Sequence, residues 1–220
     1  MNYTFRFRDV FAAWDQLQDG LILTLWLSGV TVVLGVVIGT ACAAAAVYGP
    51  RALRLAVASY VEVIRNTPLI VQLFIVFFGL PSLGVRLDAE TSSVLALTIN
   101  LGAYTAEIVR AGLEAIPRTQ IEAGRSLGLT GPQIFRHVVL LPAIRIVYPA
   151  LASQFVLLML ATSVVSQISA ADLFHAASII QSRTFRDFEV YAVVAAIYLS
   201  LALVMRLMFS GLYLLAFGRR

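Results

Sequence analysis

Five apolar runs of about twenty or more residues, at positions 20–47, 55–80, 93–116, 140–166 and 191–217, account for most of the chain. An α-helix needs about 20 such residues to cross roughly 30 Å of hydrocarbon. Runs of that length and composition read as spanning helices. The expected fold is therefore all-α and membrane-embedded, with five transmembrane helices in a single domain covering residues 1–220. Composition agrees: 13% charged residues and a mean hydropathy of +0.89 lie far from the roughly one-quarter charge of a soluble domain. The first run is too long for a signal-peptide core and lacks a small-residue cleavage site, so it reads as a retained span. Residues 1–19, with Phe5, Phe11 and Trp14 among charges, read as an interfacial segment.

Arginines in the connecting segments orient the bundle, because positive charge is retained on the cytoplasmic side. With the N-terminus outside, the inner segments hold Arg51, Arg54, Arg110, Arg118, Arg125, Arg136, Arg145, Arg206, Arg219 and Arg220 against Glu114 and Glu122. The outer segments hold Arg6, Arg8, Arg86, Arg183 and Arg186 against eight carboxylates. The net charge of +4 then follows from this bias and calls for no nucleic acid.

All 16 basic residues are arginine. Without a lysine the chain cannot form a Walker-type phosphate loop or a Schiff base. Cys42 stands alone among alanines and reads as a small hydrophobe. His137 and His175 fall on opposite sides of the membrane with no metal-ligand spacing around them, and HExxH does not occur. The expectation is a chain with no catalytic residues, metal or cofactor of its own.

A polar segment, TQIEAGRSLGLTGPQIFRH, interrupts the apolar pattern at residues 119–137. Thr119 and Glu122 have capping-box spacing, and Gly128 is placed to end the helix in the left-handed conformation. The spacing predicts a two-turn helix over 119–127. A second box at Thr130 and Gln133, with Pro132 in the first turn, starts the helix that re-enters the membrane. A short helix held between two capped turns is a rigid knob.

The order Glu122, Ala123, Gly124, Gly128, Leu141, Pro142 resembles the EAA motif of membrane subunits of bacterial ATP-binding cassette importers. VEVIRNTPLIVQLFIVFFGLP, GAYTAEIVRAGLEAIPRTQ and RTFRDFEVYAVVAAIYL are similar to spans of the polar amino-acid uptake branch, in the same order and over residues 18–217. The resemblance implies a type I importer permease in a bacterial inner membrane. Its coupling helix, between spans three and four, would dock Thr119, Glu122, Ala123, Gly124, Arg125, Ser126, Leu127, Gly128 and Leu129 against a separate ATPase that binds ATP and magnesium. It further implies two ATPase subunits, a second permease subunit (non-identical slightly favoured over identical), and an extracytoplasmic amino-acid-binding protein. The substrate would be a polar amino acid, acidic or amide ahead of basic.

Ionisable residues within spans usually face a bundle interior or a water-filled cavity. Glu62, Arg65 and Glu107 qualify. Pro68 disfavours helix at Thr67 and removes a backbone donor, so residues 65–68 form a candidate helix break near mid-membrane. Glu62 with Arg65, and Glu107 with Arg110, are at i,i+3 spacing and have mutual neutralisation as an equally direct reading. Asn66, Thr67, Asn100, Tyr104, Gln154, Thr162 and Ser163 complete the candidate path. Leu160-Ala161 precede Thr162-Ser163 where many relatives carry a charged or strongly polar residue, which leaves the preferred amino acid open. The competing class is a secondary transporter or channel using Glu62, Arg65 and Glu107 as an ion relay. Gly35 and Gly39, spaced G-x-x-x-G, favour helix packing within the subunit.

Overall fold

A computed structural model describes residues 4–218, and among these the secondary structure is entirely helical. A one-turn helix α1 (Arg8–Ala12) leads into α2 (Trp14–Tyr48), followed by α3 (Arg51–Arg65), α4 (Leu69–Phe74), α5 (Ala89–Glu114), α6 (Arg118–Ser126), α7 (Gly131–Ile134), α8 (Leu140–Ala161), α9 (Leu173–Thr184) and α10 (Asp187–Phe217). π-helical turns at Ile75–Gly79 and Phe135–Val139 extend α4 and join α7 to α8, and a 3₁₀ segment, Thr162–Ile168, continues α8. Four helical stretches are long and apolar enough to cross a membrane, and the bent pair of α3 with residues 69–83 makes a fifth if it counts as one span.

Residues 1–19, expected as one interfacial segment, include α1 and the first turns of α2. α2 begins at Trp14, so residues 14–19 already belong to the long first helix, and positions 1–3 lie outside the described residues. No proline or glycine-rich turn separates Asp19 from the apolar run, and Gly20 is buried within the helix.

α2 and α5 form the most extensive interface. Gly35 and Gly39 bring it together: a Cβ at Gly35 would sit 2.7 Å from the Leu101 side chain, and one at Gly39 would sit 2.4 Å from Thr105 and 2.8 Å from the Gly102 carbonyl. Small residues of this spacing let two backbones approach and maximise van der Waals contact, the main attraction available between helices in lipid. Leu27, Leu73, Ala96, Leu97, Leu101 and Leu158 fill the core above that crossing.

At the opposite end from α6, α9 packs its buried face of Leu173, Ala176, Ala177 and Ile180 against α2 and α10. Gly20 makes room, since a Cβ there would lie 2.7 Å from the Asp172 carbonyl oxygen. Asp172 is fully buried, caps α9 by accepting from the His175 amide at 2.9 Å, and faces the Tyr198 hydroxyl of α10 at 3.4 Å. Thr24 accepts from the Leu173 amide at 3.1 Å. The α9 segment is therefore a built-in part of the bundle, tied to two spanning helices by polar contacts.

Candidate functional site

The chain breaks where Pro68 predicts it. α3 stops at Arg65, Asn66 leaves helical geometry (φ −101°, ψ 10°), Pro68 is extended (φ −63°, ψ 138°), and α4 departs at 108°. Proline has no N–H to give to the Ile64 carbonyl. The buried Gln72 side chain substitutes for it: Nε2 donates to Ile64 O at 2.8 Å and lies 3.0 Å from Thr67 O, while its Oε1 accepts from Asn100 Nδ2 of α5 at 3.0 Å. Thr67 donates to Val63 O at 2.9 Å. The break is thus a hydrogen-bonded structure pinned to α5, with Asn66 and Thr67 exposed at its edge.

Gln72 is absent from the sequence-based site because a single glutamine in an apolar run carries no motif. The available signal is its position four residues after Pro68, one helical turn from the lost donor. Replacing it with leucine leaves the Ile64 carbonyl and Asn100 amide without their partner. The expected cost is about 2 kcal/mol, read as a lower melting temperature of the Gln72→Leu protein in detergent, with Gln72→Glu unable to restore the donor.

Next to the break, α3 and α5 line an open cavity of about 800 Å³ carrying Arg51, Arg54, Glu62, Arg65, Glu107, Arg110 and Glu114. Arg110 grips Glu107 with two bonds, Nε–Oε2 3.0 Å and Nη2–Oε1 2.6 Å, and reaches Glu114 at 2.6 Å. Arg65 stands 3.9 Å from Glu107 and lies over the Tyr104 ring at 5.4 Å from its centroid. The i,i+3 pairing of Glu107 with Arg110 is realised; that of Glu62 with Arg65 is not. Tyr104 and Glu107 draw the Arg65 guanidinium across to α5, and Glu62 accepts instead from Asn66 Nδ2 at 3.0 Å. Glu62, Arg65, Tyr104 and Glu107 thus converge from two helices on one polar wall.

Other expected path residues are placed elsewhere. Thr162 is fully buried and donates to the Met159 carbonyl at 2.7 Å, within reach of Tyr198. Its hydroxyl is spent inside the packed interior near α10, which removes it from an open path. Ser163 donates to Leu160 O at 2.8 Å, and Gln154 is half-buried on α8; neither borders the α3–α5 cavity. Asn100 serves the break through Gln72.

At the other candidate region, α6 starts one residue before Thr119, with Pro117 in the cap position and no side-chain cap. The expected Thr119–Glu122 box is therefore not formed. Pro117 is extended (φ −59°, ψ 134°), so the change of direction occurs there and Thr119 already lies in the first helical turn. The far end matches the expectation: Gly128 has φ 77°, its amide reaches Arg125 O at 2.9 Å, and the Leu129 amide reaches Gly124 O at 3.1 Å, a Schellman closure. Thr130 and Gln133 form the second box, with the Thr130 amide donating to Gln133 Oε1 at 2.8 Å. Gly124 is buried against Ile134, while Ile121 and Leu129 pack on Ile116, Ile134 and Val139. The outward face shows Glu122, Ala123, Arg125, Ser126 and Leu127, the last 81% exposed.

The family described as "Binding-protein-dependent transport system inner membrane component" matches residues 35–213. The chain is 37% identical over 194 residues to a probable glutamine ABC transporter permease of Bacillus subtilis, covering 88% of this chain and 90% of that one. It is 37% identical to the L-cystine transport system permease of the same organism, over 83% of this chain and 78% of the other. Against the Escherichia coli glutamine permease it is 34% identical, over 89% and 90%. Its fold overlays on a crystal structure of an amino acid ABC transporter with histidines, with a TM-score of 0.90 at 39% identity over 96% of this chain and 99% of that one. A methionine ABC transporter in an inward-facing conformation shares the fold (TM-score 0.77, 21% identity) over 91% and 96%. With several membrane-length apolar helices and a match across most of its length, this chain belongs to the inner-membrane permease components of binding-protein-dependent ABC importers, on the amino-acid side of that family.

Proposed function

We propose that the chain carries a polar amino acid through the membrane along the α3–α5 cavity and is driven by a separate ATPase docked on α6. The observation that carries this reading is the cavity wall itself: Arg65 and Glu62 stand at a mid-helix break beside Glu107, so both signs of charge face one open space. A zwitterion presents both signs, and helix breaks supply free backbone groups where such a ligand crosses a membrane. Asn66 and Thr67 add uncharged hydrogen-bonding groups at the same place. Amide amino acids are favoured, because relatives named for glutamine match most of the chain's length and the wall pairs its carboxylates with arginines.

A second permease subunit would close the open side of the cavity, and two ATPase subunits would grip the two α6 knobs. Closure of the ATPase pair on ATP and magnesium would draw the knobs together and turn the cavity outward, where a binding protein delivers substrate; hydrolysis returns it. The tight α6 closure suits this role, since a loop that yields under load transmits no displacement.

Co-purification of wild type and a Glu122→Arg, Gly128→Trp double variant from the native host tests the coupling. An ATPase subunit should accompany the wild type and be lost from the variant. Because any side chain at Gly128 strains its left-handed backbone and loosens the closure of α6, Glu122→Arg alone, at an exposed position, should also weaken the association with little change in the melting temperature of the membrane chain. A variant that keeps the ATPase, or a wild type that brings none in mild detergent, would end this reading of α6.

A further inference from the structure

One charged side chain lies well inside the apolar stretch of α10. Arg206 precedes the end of the helix at Phe217 by eleven residues, about 16 Å along the axis. α10 has 31 residues, about 46 Å against roughly 30 Å of hydrocarbon; centred on that layer, it puts the Arg206 backbone about 8 Å beneath one membrane surface. That surface is the one on the α6 side, because α10 packs on α8 and α8 enters the bundle directly after α6 and α7. Arg206 is exposed, and among the described residues it has neither an ion pair nor a hydrogen bond.

An arginine in this position costs about 3 kcal/mol or more if left to lipid tails, so its surroundings matter. It borders a groove of about 430 Å³ between α8 and α10, with Tyr148, Ser153, Phe209, Ser210 and Tyr213. The groove has a fixed aromatic wall: Tyr148 donates to the Phe209 carbonyl at 2.8 Å and its ring meets Tyr213 at 5.5 Å. The Ser153 and Ser210 hydroxyls have no hydrogen-bond partner among the described residues. Arg145, exposed on α8, lies eight residues before Ser153, about 12 Å nearer the α6 side.

A carboxylate from a second copy is the obvious rival partner for Arg206. On the α6 side, Glu107 and Glu114 are held by Arg110, Glu62 accepts from Asn66, and all three line the α3–α5 cavity, while Glu122 stands on the outward face of α6, outside the spanning helices. A phosphodiester is the anion that the bilayer itself supplies at this depth, since the arginine stem reaches several ångströms toward the headgroups. Basic pockets between spanning helices are a known form of lipid recognition. We propose that the α8–α10 groove binds an anionic phospholipid, with its phosphate on Arg206, Ser153 and Ser210 and an acyl chain along the Tyr148–Tyr213 wall.

The inference rests only on the multi-pass placement of the chain, not on its substrate or on α6. Native mass spectrometry of the purified protein, with phosphatidylglycerol and phosphatidylcholine supplied in equal amounts, provides the test. Wild type should retain phosphatidylglycerol preferentially. Arg206→Leu should hold it about fivefold more weakly, the factor one basic residue contributes at an anionic surface, and Arg206→Lys should keep most of it. Arg183→Leu, on the opposite side of the membrane, should behave as wild type. Equal phosphatidylglycerol retention by Arg206→Leu would overturn the proposal. So would efficient disulfide formation between two copies carrying Ser210→Cys on a Cys42→Ser background in native membranes, which would make the groove a subunit interface. Whether an ATPase remains in the same preparations reports separately on the function proposed above.

Discussion

Gly39→Leu should leave almost no folded protein in the membrane, whereas Gly29→Leu in the same helix should accumulate as wild type does. A side chain at position 39 meets Thr105 Cβ at 2.4 Å and the Gly102 carbonyl at 2.8 Å. Neither neighbour is the free end of a flexible side chain; one is backbone and the other is attached directly to it. α2 and α5 would have to separate, and theirs is the largest interface in the bundle. Overpacking of a close-packed core costs typically about 1–3 kcal/mol when side chains can adjust, and here the adjustment is a displacement of whole helices. Gly29 has nothing within 4 Å of an added Cβ, so the same substitution there keeps any gain in helix propensity and omits the clash. Yield and elution profile of the two variants after mild solubilisation give the comparison; equal behaviour would mean that α2 and α5 do not meet through Gly39.

The second large effect is a pH dependence that Asp172 imposes on the end of the bundle away from α6. It lies outside the spanning helices, and burial pushes its carboxyl up from 3.8 to about 6, against the opposing effect of the backbone amides that it caps. The groups around it are the Tyr198 and Thr24 side chains and the His175 and Phe174 amides, with no cation among them. Because the folded-state value lies above the unfolded one, the native protein takes up a proton while the unfolded chain is still ionised. Stability from this group is lowest above about pH 6 and rises as pH falls toward 4, by on the order of 3 kcal/mol in total. Asparagine keeps the cap without the charge. On a His175→Gln background, which removes the neighbouring imidazole, Asp172→Asn should melt above its parent at pH 7.5, and the gap should narrow steadily as the pH is lowered through 6 toward 4. A gap independent of pH would show that the carboxyl is not held in the uncharged state by its surroundings.

Features written into a few adjacent residues are legible in the sequence itself. Pro68 removes a donor and restrains the residue before it, so the break between α3 and α4 follows from local chemistry. Gly128 adopts the left-handed conformation that ends α6, and Thr130 with Gln133 forms the box that begins α7, for the same reason. Gly35 and Gly39 signal a close helix approach by their spacing. Thr119 fails as a cap although its spacing to Glu122 is right, because Pro117 two residues earlier has already turned the chain. Local signals compete, and spacing alone does not say which one wins.

Contacts between helices are not legible in that way. Gln72 repairs the gap left by Pro68 only because Asn100 of α5 holds its other end, and Arg65 leaves Glu62 because Tyr104 and Glu107 stand opposite. Thr162 has the polarity of a path residue, yet packing near α10 encloses it. Asp172 and Arg206 give no sign in the sequence of their opposite situations, one carboxylate sealed among neutral groups and one guanidinium facing outward beside a groove. Hydrophobic length, the arginine distribution, and the glycine and proline positions determined by themselves that this is a helical membrane chain, with a break in its second apolar run and a knob between the third and fourth. Which polar groups meet across helices was decided only by the tertiary structure. A side chain's partner in a low-dielectric interior is set by the rotation and register of whole helices, and the van der Waals packing that fixes those is spread over dozens of residues rather than carried by any one of them.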